Sequence, residues 1–205
     1  MSARRIQDLL ASNNASYRAI KHDPAFTAQE VAQSTHVPGK YMAKTLVVCI
    51  DGHLALAVVP ATKRLDLTLL RSQAAAKEVR LADESEFEEC FGDCEVGTAP
   101  PFGNLFGIRT FVDVGMAMQE EIAFNAGTHT DVVIMRFADY SALVKPLMVQ
   151  IAVEGPAVRR LEPARAPARP AARAKTATPQ LQWSQSDETT PQDGWSERIQ
   201  HAGAD

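Results

Sequence analysis

The 205-residue chain has no excess of positive charge: 21 Lys and Arg stand against 25 Asp and Glu, a formal net charge of −4. Nothing global therefore pulls it onto nucleic acid, DNA included, or onto an anionic membrane, and any such contact has to come from a local patch. Apolar runs of membrane-spanning length are missing too. The longest, such as LVVCI and LALAVV, fall far below the roughly 20 residues a helical span requires. Cysteine is scarce and odd in number, Cys49, Cys90 and Cys94. No secretory apolar region follows the opening MSARRIQDLLASNN, which turns polar after one short amphipathic run. A cytoplasmic, reducing compartment is the expectation.

Catalytic signatures of the common hydrolases are absent as well. His22, His36, His53, His129 and His201 are scattered, there is no HExxH, and Cys90-x-x-x-Cys94 has no second ligand pair, so no zinc site is expected. Each cysteine reads as a small apolar core residue. No Gly-x-Ser-x-Gly elbow supports a serine hydrolase.

What is present is enough for one core: 45% of the residues are apolar and 22% charged, which suits a single sizeable domain at this length. Composition shifts after about Glu154. Residues 1–154 carry 14 basic and 19 acidic side chains, a balance of −5, and residues 155–205 carry 7 and 6, a balance of +1. The second segment opens with EGPAVRRLEPARAPARPAARAKTATP and continues polar, and is expected to be a disordered tail. Six basic groups between Arg159 and Lys175 face the single Glu162, so the tail reads either as a solvated linker or as an electrostatic tether for RNA.

Within residues 1–154 short strands and helices alternate. IQDLLA has helical spacing and SYRAIKH alternates like a strand. Thr27 and Glu30 stand at capping-box spacing, so a helix should open at TAQEVAQST. AKTLVVCI and HLALAVVP, joined by Asp51-Gly52, predict a β-hairpin with a type I′ turn. LDLTLLRSQAAAKEV predicts one helix capped by Asp66, and DESEFEECF a short acidic one. Three more strands follow, in IRTFVDV, EIAFNA and DVVIMRF, and a last helix, DYSALVKP, ends before Pro146. At least five strands with helices between and after them indicate a mixed α/β or α+β sheet domain.

One stretch is too dense in backbone specialists to be slack. GTAPPFGNLFG places Gly97, Pro100, Pro101, Gly103 and Gly107 within residues 97–107. Glycine admits positive φ and close approach, whereas proline fixes φ and removes a donor, so this is a shaped loop able to present its own N–H groups. By composition alone a plain connection is the favoured reading, because Gly and Pro punctuate turns everywhere.

AKTLVV, GTAPPFG and NAGTHTDVVI…DYSALV, in this order and at these separations, resemble the YbaK family of aminoacyl-tRNA deacylases, related to the editing domain inserted in bacterial prolyl-tRNA synthetases. The resemblance covers about residues 15–147. It implies a mixed, mostly antiparallel central sheet flanked by helices, and hydrolysis of the ester of a mischarged tRNA. The partners implied are that aminoacyl-tRNA and an aminoacyl-tRNA synthetase, with no membrane and no cofactor, metal or protein nucleophile. Lys44 matches the family's pocket lysine, whose ammonium suits phosphate or ribose oxygens, and Thr45 follows it with a hydroxyl. Gly97 and Pro101 match the Gly-x-x-x-Pro motif of the catalytic loop, and Phe102 and Gly103 continue it. Such a loop supplies N–H donors to the tetrahedral oxyanion of ester hydrolysis. Gly127 matches a glycine beside the pocket, and Asp131 and His129 lie near it as polar groups. Two positions depart from the family: Gly127-Thr-His-Thr replaces a GxRG-like pattern, and Ile20 stands where the cysteine-removing branch carries an aromatic residue. A non-catalytic ligand- or tRNA-binding regulatory module on the same fold is the alternative.

Overall fold

The structure, a computed structural model, describes residues 2–92 and 94–155, with side chains from Arg5 onward. The expectations for the tail beyond Gly155 lie outside the described residues. In chain order the elements are α1 (Ser2–Ser12), β1 (Tyr17–Lys21), α2 (Ala28–Ser34), β2 (Ala43–Ile50), β3 (His53–Pro60), β4 (Lys63–Leu65), α3 (Leu67–Gln73), β5 (Val79–Leu81) and α4 (Glu84–Phe91). A single 3₁₀ turn (Gly103–Phe106) leads to β6 (Arg109–Asp113), α5 (Val114–Ala117), β7 (Glu121–Asn125), β8 (Asp131–Arg136), α6 (Phe137–Val144), β9 (Leu147–Val149) and β10 (Ala152–Glu154).

Local chemistry accounts for most of these boundaries. The Thr27 side chain accepts from the Glu30 N–H while the Glu30 carboxylate accepts from the Thr27 N–H, so both orphan donors are satisfied at the start of α2. Asp51 and Gly52 take φ of 48° and 82°, the two left-handed residues a type I′ hairpin turn requires, between β2 and β3. The Asp66 carboxylate accepts from the N–H groups of Thr68 and Leu69 and starts α3. Helix α6 ends with Lys145 in the left-handed region, immediately before Pro146.

The helix expected from Leu65 to Val79 stops at Gln73 instead. Ala75 turns to φ 50°, and the N–H groups of Lys77 and Glu78 are taken by the Asp51 carboxylate at 3.0 and 2.8 Å. The chain beyond is thereby held extended against the hairpin, where Val79 pairs with Ile50 in β5. Strands β4, β9 and β10 also escape sequence reading, being three residues each. Asp113 organises two of them: only 2% exposed, it accepts from Gly115 at 2.9 Å and from Ile151 and Ala152 at 2.9 and 2.8 Å. One buried carboxylate thus ties the end of β6 to the chain that forms β10, which pairs with β4.

Two sheets result. One has the order β5-β2-β3-β6-β9, antiparallel among its first three strands and parallel from β3 onward. The other, β1-β8-β7, is antiparallel throughout. They meet at one parallel bridge between Met42 and Ala123. The largest core cluster joins Ile6 and Leu10 of α1, one helical turn apart, to Phe102, Phe124, Tyr140 and Val144. A second cluster sits on the opposite face of β2 and β3 and includes Val48, Val59, Leu70 and Ile151.

Candidate active site

Strand β2 is covered by β3 along one side for its whole length, but on the other side β5 reaches only Val48–Ile50 and β7 touches only Met42. Between those contacts the two sheets splay and an edge of β2 stays open. Main-chain groups alternate in direction along an antiparallel strand. The Met42 carbonyl oxygen accepts from Ala61 toward β3, whereas those of Tyr41 and Val47 accept from Ala123 and Ala82 on the other side. By that alternation Thr45 turns its N–H and C=O groups to the open edge. A cleft of about 710 Å³ occupies the gap, lined by residues 43–46, residues 26–29, Ala61, Val96, Gly97, Ala99, Asn125 and His129.

Lys44 is half-buried in the wall of this cleft, and its Nζ donates to the Lys63 carbonyl oxygen at 2.7 Å. Burial pushes its pKa below the ordinary lysine value, because desolvation disfavours the charged form. The ion pairs among the described residues leave it aside: they join Arg18 to Glu121, Lys63 to Glu154 and Arg80 to Glu86. A neutral carbonyl occupies one of three ammonium donors, so two remain for an anionic or oxygen-rich ligand.

Gly97 lines the same cleft on a firmly held loop. The Glu95 N–H donates to the Gly127 carbonyl oxygen at 3.0 Å, and the Glu95 carboxylate accepts from the His129 N–H at 2.6 Å. Thr98, 1% exposed, donates its hydroxyl to the Glu95 carbonyl oxygen at 2.7 Å. Gly97 itself is exposed, with φ 85°, and its N–H has no protein acceptor among the described residues. A Cβ at Gly97 would meet nothing within 4 Å, so strain at positive φ, on the order of 1 kcal/mol, is the whole structural cost of Gly97→Ala. That variant is expected to unfold near the wild-type denaturant midpoint, yet to lose about tenfold or more in the rate of ester cleavage as the N–H is re-aimed. Unchanged cleavage would remove Gly97 from the site.

The structure brings Lys44, Thr45, Gly97 and His129 together and places the other sequence-derived candidates elsewhere. Pro101 is buried, and its carbonyl oxygen accepts from the Tyr140 hydroxyl at 2.8 Å. Burial there pushes the Tyr140 pKa upward. Phe102 is wholly buried, with ring centroids 5.2 Å from Phe124 and 5.5 Å from Tyr140. Gly103 donates its N–H to Thr110 Oγ1 at 3.1 Å, and a Cβ there would come within 2.5 Å of the Ile108 carbonyl oxygen. These three anchor the loop to the core. Gly127, φ 94°, is buried and holds the loop through its carbonyl. Asp131 is occupied by the hydroxyls of Thr128 and Thr130 at 2.7 and 3.2 Å. Sequence reading missed Phe26, Gln29 and Asn125. Phe26 is 72% exposed and its ring lies tilted against that of His129 with centroids 4.7 Å apart, which no periodicity reveals.

Comparison with known proteins bears on the family and the fold. The family model described as the aminoacyl-tRNA editing domain matches residues 22–143, the stretch that contains every lining residue of the cleft. A curated relative, the multifunctional Ser/Thr-tRNA deacylase ProXp-y of Escherichia coli, is 29% identical over 150 residues, covering 71% of this chain and 89% of that protein. Among solved structures, a candidate trans-editing enzyme for prolyl tRNA synthetase shares the fold with a TM-score of 0.64 at 24% identity, covering 74% of this chain and 97% of that one. A hypothetical protein of known structure does so with a TM-score of 0.66 at 21% identity, covering 72% and 99%.

Proposed function

The chain belongs to the aminoacyl-tRNA editing domain family, and on that premise we propose that it is a trans-acting deacylase that hydrolyses the ester bond of a mischarged tRNA. The observation that carries the reading is one cleft lined both by Lys44 and by Gly97, whose N–H has no protein acceptor among the described residues. Lys44 is a compact charge placed to hold phosphate or ribose oxygens of the terminal adenosine. With the ester thus positioned, water adds to the carbonyl carbon, and the charge that develops on the carbonyl oxygen is met by the Gly97 N–H. The ester C–O bond then breaks, the ribose oxygen takes up a proton, and the free amino acid leaves. A neighbouring ribose hydroxyl orients the water, so the step needs no protein nucleophile.

A synthetase that mischarges its tRNA is the source of such a substrate, and the cytoplasm is where the two meet. No helix among the described residues is long and apolar enough to cross a membrane. The tail from residue 155 is read as an appendage to this domain. A panel of tRNAs charged with Ser, Thr, Ala and Cys tests the reading: at least one ester should be cleaved well above its spontaneous rate, and spontaneous rates throughout would overturn it.

Metal is not part of the proposal. Among the described residues no group of three His, Cys, Asp or Glu side chains is placed to hold an ion. Exhaustive chelation is therefore expected to leave cleavage unchanged, and loss restored by Zn²⁺ would contradict the mechanism.

A further inference from the structure

Asn125, at the end of β7, forms part of the cleft wall, and its Oδ1 is buried without a hydrogen-bond partner. Buried acceptors are rarely left unpaired in a folded protein, so an orphan in the wall of a cleft points to a donor supplied by what enters it. A second acceptor lies nearby. His129 Nδ1 is 3.1 Å from the Ala25 carbonyl oxygen, which only accepts, so Nδ1 carries the proton and Nε2 is the acceptor of the neutral ring. Among the described residues no Asp or Glu lines this cleft. The group that fits is a small one with several N–H donors.

Resting on the deacylase reading above, we propose that Asn125, together with His129, holds the α-amino group of the aminoacyl ester and so makes a free amine a condition of cleavage. The turn that carries both residues is bonded to the Gly97 loop through Glu95, by its N–H to the Gly127 carbonyl and by its carboxylate to the His129 N–H. A carbonyl oxygen held at Gly97 therefore has the Asn125–His129 turn as its neighbour. The substituent one carbon from that carbonyl is the α-amine, with two or three donors; a serine or threonine hydroxyl offers one, and the ester oxygens offer none. The consequence is a substrate class: esters of unblocked amino acids are cleaved, whereas those whose α-nitrogen is acylated, as in a peptidyl-tRNA, lose donors, gain bulk and are spared.

The full chain is to be assayed with two probes, seryl-adenosine and its des-amino counterpart hydroxypropionyl-adenosine. Asn125→Leu, close in size but without an acceptor, is expected to lower kcat/KM for seryl-adenosine by about 10- to 100-fold and to change that for the des-amino ester by less than about twofold. Asn125→Asp keeps an acceptor and should retain most of the activity on the amine. N-acetylseryl-adenosine should resist the wild-type protein. Because the readout is a ratio within one variant, it does not depend on the fraction folded, and Asn125→Ala gives the same comparison if the leucine variant fails to accumulate. Equal losses on the two esters would overturn this proposal and leave the deacylase reading standing. Failure of the wild type to cleave either ester or any charged tRNA would overturn that reading itself.

Discussion

Replacing Lys44 with alanine is expected to lower deacylation by one to several powers of ten while leaving the protein folded. The magnitude is that of losing a group that positions the substrate and stabilises developing charge. The small effect on stability follows from two opposed terms. Truncation leaves the Lys63 carbonyl oxygen without its 2.7 Å donor, but it also removes a half-buried cation that has no carboxylate partner among the described ion pairs. Lys44→Arg should not restore the rate, because a planar guanidinium fork cannot reproduce a compact ammonium that already spends one donor on a carbonyl. The pH dependence carries a sign. Burial lowers the folded-state pKa below the ordinary value of 10.5, so between the two values the unfolded chain binds more protons and stability rises with pH across that window. Below the folded pKa the full cost of burying the cation is felt. The alanine variant should lack this alkaline gain. Single-turnover cleavage and denaturant unfolding at several pH values measure both quantities. An unimpaired rate removes Lys44 from the site, and an unfolded protein assigns it to structure.

The largest loss of stability is expected from Phe102→Ala, about 3–5 kcal/mol by the scale for aromatic truncation in cores. Phe102 is fully buried where α1, α6, β7 and the loop converge, in edge-to-face contact with Phe124 and Tyr140. The surrounding side chains are fixed from several elements, so the vacated volume has little means of collapse. A denaturant midpoint close to wild type would show that the loop is held by something other than this anchor. Set beside Gly97→Ala, the variant separates two halves of one loop. The first half is expected to lose cleavage with little loss of stability; the second is expected to lose stability, with cleavage falling only through the unfolded fraction.

Gly97 and Gly103 belong to one Gly- and Pro-rich stretch of the sequence, yet one opens into the cleft with nothing near its missing Cβ and the other is closed by the Ile108 carbonyl and the Thr110 side chain. The sequence by itself determined those features whose causes lie within a few residues: the capping box of Thr27 and Glu30, the left-handed pair Asp51-Gly52, and the Asp66 cap of α3. It also carried Lys44, Thr45 and Gly97, through the ordered motifs that resemble the deacylase family. Tertiary structure alone decided where α3 stops, because the donors of Lys77 and Glu78 are captured by a carboxylate 26 and 27 residues away. It likewise decided strands β4 and β10, three residues each, too short to show a period and tied in through Asp113 from 38 and 39 residues away. The cleft has the same origin. Phe26, Asn125 and His129 share the cleft with Lys44 only because β2 lacks a partner along one of its sides between Met42 and Val48, and hydrogen bonds left unmade at such a distance along the chain leave no local pattern to read.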